Sequence, residues 1–215
     1  MIKVLVTGFG AFPGTCRNPS LALLAALHKR RMRLARLGID LQLRALPVVY
    51  AGLGPRLAKL AGETRPDAII HFGLAGRRKI ISVETRARNH VNLLHPDAAG
   101  ARPPRLAVLP GGPEIVKARV PAPQIVAALR QARIASGLSN DAGDYLCNAS
   151  FYHSLVAADA TCIGFIHIPA PRRRMARSSP RQDSPRKDKR PRFADIVAAA
   201  EIALVIIARA VRQGS

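Results

Sequence analysis

The chain has 215 residues, 48% of them hydrophobic, and a formal net charge of +21 at pH 7. That is enough chain and apolar content for one domain with a sizeable core, 1–215. No run approaches the roughly 18 apolar residues of a membrane span, and aromatics at 4%, none of them inside the densest basic run, exclude a base-stacking surface as the source of the charge.

In chain order, MIKVLVTG opens with a strand from Ile2 to Val6, an apolar run too short for a signal peptide. The following Thr7 to Ser20, TGFGAFPGTCRNPS, has glycines reminiscent of a dinucleotide-binding turn. However, Pro13 occupies the place of the last glycine and no acid lies about 20 positions on to hold a ribose, so Phe9 and Phe12 need another use. Asn18-Pro19-Ser20 starts a helix that buries Leu21, Leu23, Leu24 and Leu27. The basic HKRRMRLARL that follows reads as a solvated helical face. Strands are expected at Leu41 to Leu46, Ala68 to Phe72, Ile80 to Glu84 and Cys162 to Ile168, and helices at Leu53 to Leu60, Ala122 to Ala135, from about Cys147, and Phe193 to Arg212. This alternation predicts a single-domain α/β protein, a three-layer α/β/α sandwich with a mainly parallel twisted sheet.

Two segments break the alternation. Between Arg86 and Pro121 turn residues are dense, as in a long functional loop. Pro171 to Arg192 carries ten Arg or Lys against Asp183 and Asp188 and supplies +8 of the net charge. Residues 171–192 are therefore expected to be a mobile basic loop, with salt-sensitive polyanion binding as a by-product.

Open α/β sheets bind ligands outside the carboxyl ends of their strands, which directs attention to Phe9, Phe12, Gly73 to Gly76, Glu84 and His167. Three cysteines, Cys16, Cys147 and Cys162, lack metal-ligand spacing and suggest reduced thiols in a cytoplasmic protein. Cys147 follows a turn at Gly143 and opens an apolar helix, where free amides and the macrodipole favour a thiolate; a buried structural cysteine is the alternative. His167 ends an apolar strand before Pro169, either as a satisfied core histidine or as a base for that thiol. Glu84 closes another apolar strand. It either orients the imidazole or pairs with Arg86 or Arg88.

These segments together resemble the pyroglutamyl-peptidase type I (pyrrolidone-carboxylate peptidase) family of cysteine exopeptidases. The resemblance runs through TGF with the downstream NPS, GLAG at Gly73 to Gly76, ETRARN from Glu84, AG…CN at Ala142 to Asn148, and FIHIP. It implies Cys147 as nucleophile, His167 as general base and Glu84 as the third triad member. Phe9 and Phe12 would sandwich the lactam ring, the backbone at Gly73 to Ala75 would contact its carbonyl, and Tyr145 and Leu146 would line the pocket. It further implies peptides with an N-terminal pyroglutamate as substrates, a homo-oligomer (dimer or tetramer), and neither metal nor cofactor. Leu74, Asp144 and Leu94-His95 depart from the family pattern, and Asp144 is expected to raise the pKa of Cys147. Two other readings stay open: a thiol amidase or peptidase of shifted specificity, and a basic nucleic-acid-binding module.

Overall fold

The computed structural model describes residues 1–11, 14, 15, 18–172 and 190–214. Phe12, Cys16 and most of the basic segment, residues 173–189, lie outside the described residues.

The elements run β1 (Ile2–Phe9), α1 (Pro19–Lys29), α2 (Arg31–Arg36), β2 (Ile39–Leu46), α3 (Leu53–Thr64), β3 (Ala68–Leu74), β4 (Ile81–Glu84), β5 (Arg86–Arg88), β6 (Ile115–Lys117), α4 (Ala122–Gln131), β7 (Ser136–Ser139), α5 (Leu146–Ala157), β8 (Cys162–Ile168) and α6 (Phe193–Gln213). Six strands form one sheet in the order β2-β1-β3-β8-β4-β7, and β5 pairs with β6 in a separate antiparallel ribbon. β2, β1, β3 and β8 are mutually parallel, whereas β4 runs antiparallel to β8 and carries β7 parallel to itself. The reversal follows from chain length: only residues 75–80 join β3 to β4, and a parallel crossover needs a dozen or more.

Strand residues alternate between two apolar compartments. Val4, Val6, Ile70, Phe72, Ile166, Ile168, Ile81 and Val83 face a core built with α1, α4 and α6, through Leu23, Leu27, Ile125, Leu129, Ile196, Leu204 and Ile207. Leu5, Phe9, Ile69, Ile163 and Phe165 face the other side, against Leu53 and Leu57 of α3 and Phe151, Tyr152 and Leu155 of α5. Helices on both faces make the three-layer sandwich.

Several boundaries differ from expectation for local reasons. Leu21 is 43% exposed, on the solvent side of α1 instead of the core. α4 stops at Gln131, because Arg133 turns the chain at φ 58° and sends it into β7. The stretch from Arg86 to Pro121 contains the β5–β6 ribbon and is pinned by the buried Asp97, whose carboxylate accepts from the amides of Ala99, Ala101 and Tyr50 at 2.8, 2.9 and 2.9 Å. No described helix is long and apolar enough to cross a membrane.

Candidate active site

Strand parity places the polar residues of the site. Thr7 pairs with His71, His71 with Phe165, Gly73 with His167, and His167 with Ser82, so these side chains share the face packed against α5. Glu84 lies two residues past Ser82 on the same face and is a diagonal neighbour of His167, within reach across an antiparallel pair. It reaches His167 across the sheet and not, as the carboxyl-end rule suggests, from a parallel strand end. The ladder between β1 and β3 ends at Thr7–His71, and β2 and β3 lie on opposite sides of β1. A crevice therefore opens between the carboxyl ends of β1 and β3, the switch point where such sheets take ligands.

The NPS motif holds this crevice open. Asn18 caps α1 by accepting from the Ser20 amide at 3.1 Å, and its Nδ2 donates to the Gly10 carbonyl at 3.0 Å. Ser20 Oγ accepts from the Phe9 amide at 2.9 Å. Gly8 permits the contact, since a Cβ there would stand 2.8 Å from the Ser20 carbonyl oxygen. Gly8 thus lets β1 lie against the start of α1, and Phe9 stands at a cavity of about 250 Å³. Asn18, Val48, Leu74, Asp144, Tyr145, Leu146, Cys147 and His167 are among its other lining residues. That volume is below the ~300–1,000 Å³ typical of sites for drug-sized ligands and suits a small ring.

Cys147 is the second residue of α5, after Tyr145 in the N-cap position, and no side chain caps the helix. Its first-turn amides remain available to an incoming oxygen. Asn148 anchors the turn: fully buried, it accepts from the Arg88 amide at 2.9 Å and donates to the carbonyls of Arg88 and His90 at 2.7 and 2.8 Å. Tyr145 Oη donates to the Pro96 carbonyl at 2.9 Å. Gly73 lies directly beneath the sulfur. A methyl there would stand 2.8 Å from the Cys147 sulfur and 2.7 Å from the Phe165 ring, so its missing side chain is the space the sulfur occupies. The Ala75 amide donates to the Ile168 carbonyl at 2.9 Å.

His167 Nδ1 lies 2.8 Å from Glu84 Oε1, and Arg78 Nη1 donates to the same oxygen at 2.6 Å. Arg78, not Arg86 or Arg88, is the ion partner of Glu84; Arg86 donates to the Asn140 carbonyl and Arg88 to the Asp141 carboxylate. A carboxylate only accepts, so the His167 proton sits on Nδ1 and Nε2 carries the lone pair. Burial lowers the His167 pKa below 6.5, opposed by the Glu84 hydrogen bond and charge. Sequence predicts a thiolate-favouring environment for Cys147. Instead, burial and then the Glu84 charge push its thiol up to about 12, with Arg78 opposing. The charges that act on this thiol are Glu84 and Arg78; the Asp144 carboxylate, expected to raise it, accepts from Asn92 Nδ2 at 3.0 Å.

Of the residues marked in sequence, Phe9, Leu74, Tyr145, Leu146, Cys147 and His167 line one cavity. Glu84 stands behind His167, Gly73 beneath the sulfur, and Phe12 is outside the described residues. Arg78 carries no individual signal among 34 Lys and Arg, and Asn18 stands out in the sequence only as a helix start and as part of the NPS motif.

A helix-borne thiol and a strand-borne imidazole lining one cavity, with a carboxylate behind the imidazole, are an arrangement compatible with the cysteine hydrolases. The pyroglutamyl peptidase family model matches residues 2–209. The pyrrolidone-carboxylate peptidase of Thermococcus onnurineus is 40% identical over 172 residues, covering 78% of this chain and 84% of the relative. The crystal structure of the Thermus thermophilus pyrrolidone carboxyl peptidase superposes with a TM-score of 0.79 at 33% identity, covering 94% of this chain and 99% of its own. The Thermococcus litoralis pyrrolidone carboxyl peptidase superposes with a TM-score of 0.85 at 25% identity, covering 100% and 97%. The chain belongs to the pyroglutamyl peptidase family.

Proposed function

We propose that this protein hydrolyses the amide bond that follows an N-terminal pyroglutamyl residue, with Cys147 as nucleophile, His167 as general base and Glu84 as the carboxylate that orients it. The observation that carries the reading is the 2.8 Å contact of His167 Nδ1 with Glu84, which leaves Nε2 as a base beside a cavity that Cys147 also lines.

The free enzyme rests as neutral thiol and neutral imidazole, given the raised thiol and the lowered histidine. The substrate's scissile carbonyl enters the cavity. His167 Nε2 takes the Sγ proton as sulfur attacks the carbonyl carbon, and the tetrahedral oxyanion meets first-turn amides of α5. The imidazolium, stabilised by Glu84, passes its proton to the departing amine as the C–N bond breaks. Water, deprotonated by His167, then cleaves the thioester and regenerates the thiol. Phe9 supplies an apolar face for the lactam ring, and backbone groups of the Gly73–Ala75 segment, whose Leu74 lines the cavity, supply polar partners for its amide. Proline lacks the ring carbonyl and would leave such partners unsatisfied. By family resemblance the enzyme assembles as a homo-oligomer, which light scattering tests.

Turnover of a pyroglutamyl aminocoumarin amide against the prolyl analogue tests the specificity. The reading requires cleavage of the first, little of the second, and none by Cys147→Ser. No pyroglutamyl turnover by the wild type, or equal turnover of both amides, sinks it.

A further inference from the structure

Glu84 is fully buried and uses only one of its oxygens. Oε1 accepts from both His167 and Arg78, while Oε2 has no hydrogen-bond partner among the described residues. A carboxylate held through one oxygen can pivot about its terminal torsion, so the second donor on Oε1 decides which oxygen His167 meets. Arg78 is that donor. It leaves the end of β3 through a turn in which its amide donates to the Ala75 carbonyl at 2.9 Å. Its other terminal nitrogen, Nη2, donates to the Asp141 carbonyl at 2.6 Å. Asp141 belongs to the loop that passes through Gly143, at φ 83°, and enters α5 at Leu146, one residue before Cys147. One planar fork therefore joins the carboxylate behind the base to the loop that delivers the nucleophile. Its two bonds leave in different directions, an arrangement for which lysine is no substitute.

We propose that Arg78 is a positioning residue for the reaction: by bridging the Glu84 carboxylate and the Asp141 carbonyl, it fixes the orienting oxygen of His167 relative to the segment that carries Cys147. The proposal rests on the triad reading and adds a member that touches neither substrate nor sulfur.

The electrostatics agree in sign. Glu84 raises both His167 and Cys147, and Arg78 lowers both. The other charged groups around the imidazole are few. Asp141, which raises His167, is itself paired with Arg88 at 2.9 Å, and Asp144 lines the same cavity while bonded to Asn92. Behind the Phe165 ring, His71 is buried and neutral. Without the guanidinium, the field of Glu84 at the imidazole is unopposed, and His167 holds its proton to higher pH.

The test compares wild type with Arg78→Gln and Arg78→Lys, each first shown to melt cooperatively. Two readouts are taken across pH: kcat/KM on a pyroglutamyl amide, and the rate at which iodoacetamide alkylates Cys147, which needs no substrate. For Arg78→Gln the acid limb of both profiles moves to higher pH, and kcat falls about a hundredfold at little-changed KM, the scale of a small misplacement of reacting groups. Arg78→Lys retains a cation at Glu84 but loses the fork. Its acid limb stays near wild type while kcat falls about tenfold. Arg78→Gln profiles that coincide with wild type, with kcat within about twofold, overturn the proposal. Should Arg78→Gln fail to fold, Arg78→Lys decides: a loss in kcat at constant KM supports it, and wild-type kcat overturns it. An inactive wild type would sink the triad reading but still leave the alkylation limb to judge Arg78.

Discussion

Replacing Gly73 with alanine tests the packing of the nucleophile. The added methyl would stand 2.8 Å from the Cys147 sulfur and between 2.7 and 2.9 Å from two atoms of the Phe165 ring. Non-bonded heavy atoms settle at about 3.5–4.0 Å, so relief needs a shift approaching 1 Å. Phe165 is fully buried and packed on Phe9, Phe151 and His71, with ring centroids 6.3, 5.8 and 5.9 Å away. It has little room to yield, so the sulfur moves. Overpacking of this kind costs roughly 1–3 kcal/mol, or about 2–12 °C in Tm for a chain of this size. A nucleophile displaced by about 1 Å loses about a hundredfold in kcat. Scanning calorimetry and turnover of a pyroglutamyl amide read the two effects on one preparation. Gly73→Ala with wild-type Tm and wild-type kcat would refute the claim that this glycine makes room for the sulfur.

Three further outcomes follow from the same geometry. Glu84→Gln replaces an acceptor-only group with an amide and removes the reason for the Nδ1–H tautomer; kcat should fall about 10²–10⁴-fold, measured on the same substrate, with folding retained. Asn148→Ala leaves one amide and two carbonyls without their partner and should cost about 3 kcal/mol or more, read by urea unfolding, because buried groups left unsatisfied cost about 1–3 kcal/mol each. His71, buried between Thr7 Oγ1 at 2.6 Å and Ser154 Oγ at 2.9 Å, has its pKa lowered by burial from 6.5 to about 3. In that window the unfolded chain binds the proton and the folded one does not. Stability therefore declines as pH falls from about 6.5 towards 3, by on the order of 5 kcal/mol from this group. Burial lowers His153 and His167 too, and they add in the same direction. Urea unfolding at successive pH values should show a flatter decline for His71→Gln, and an unchanged decline would remove His71 as its cause.

Elements that advertise themselves by apolar runs were legible in the sequence: β1, β3 and β8 as IKVLV, AIIHF and CIGFIHI, and α6 by its long apolar periodicity. β7, Ser-Gly-Leu-Ser, has no such run and is a strand only because β4 offers it an edge. The three-residue β5 and β6 exist through their mutual pairing and the Asn148 clamp, both of them tertiary. The direction of β4 was in principle readable from the short link after β3, which leaves no room for a crossover. In the site, Cys147, His167 and Glu84 stood out because thiol, imidazole and carboxylate at element ends are scarce in this chain. Their meeting depends on strand register, which fixes Gly73 beside His167 and Ser82 opposite it. Which of the two readings of Cys147 applies depends on packing that the sequence does not show: the half-buried sulfur lines the cavity, and its desolvation raises the thiol pKa.

The most direct test of the account is to acid-quench the enzyme during turnover of a pyroglutamyl ester and locate the trapped acyl group by peptide mass spectrometry. The account predicts the mass of one pyroglutamyl group on the peptide containing Cys147, and neither adduct nor turnover for Cys147→Ser. Continued turnover by Cys147→Ser, or an acyl group trapped on a different residue, would contradict it.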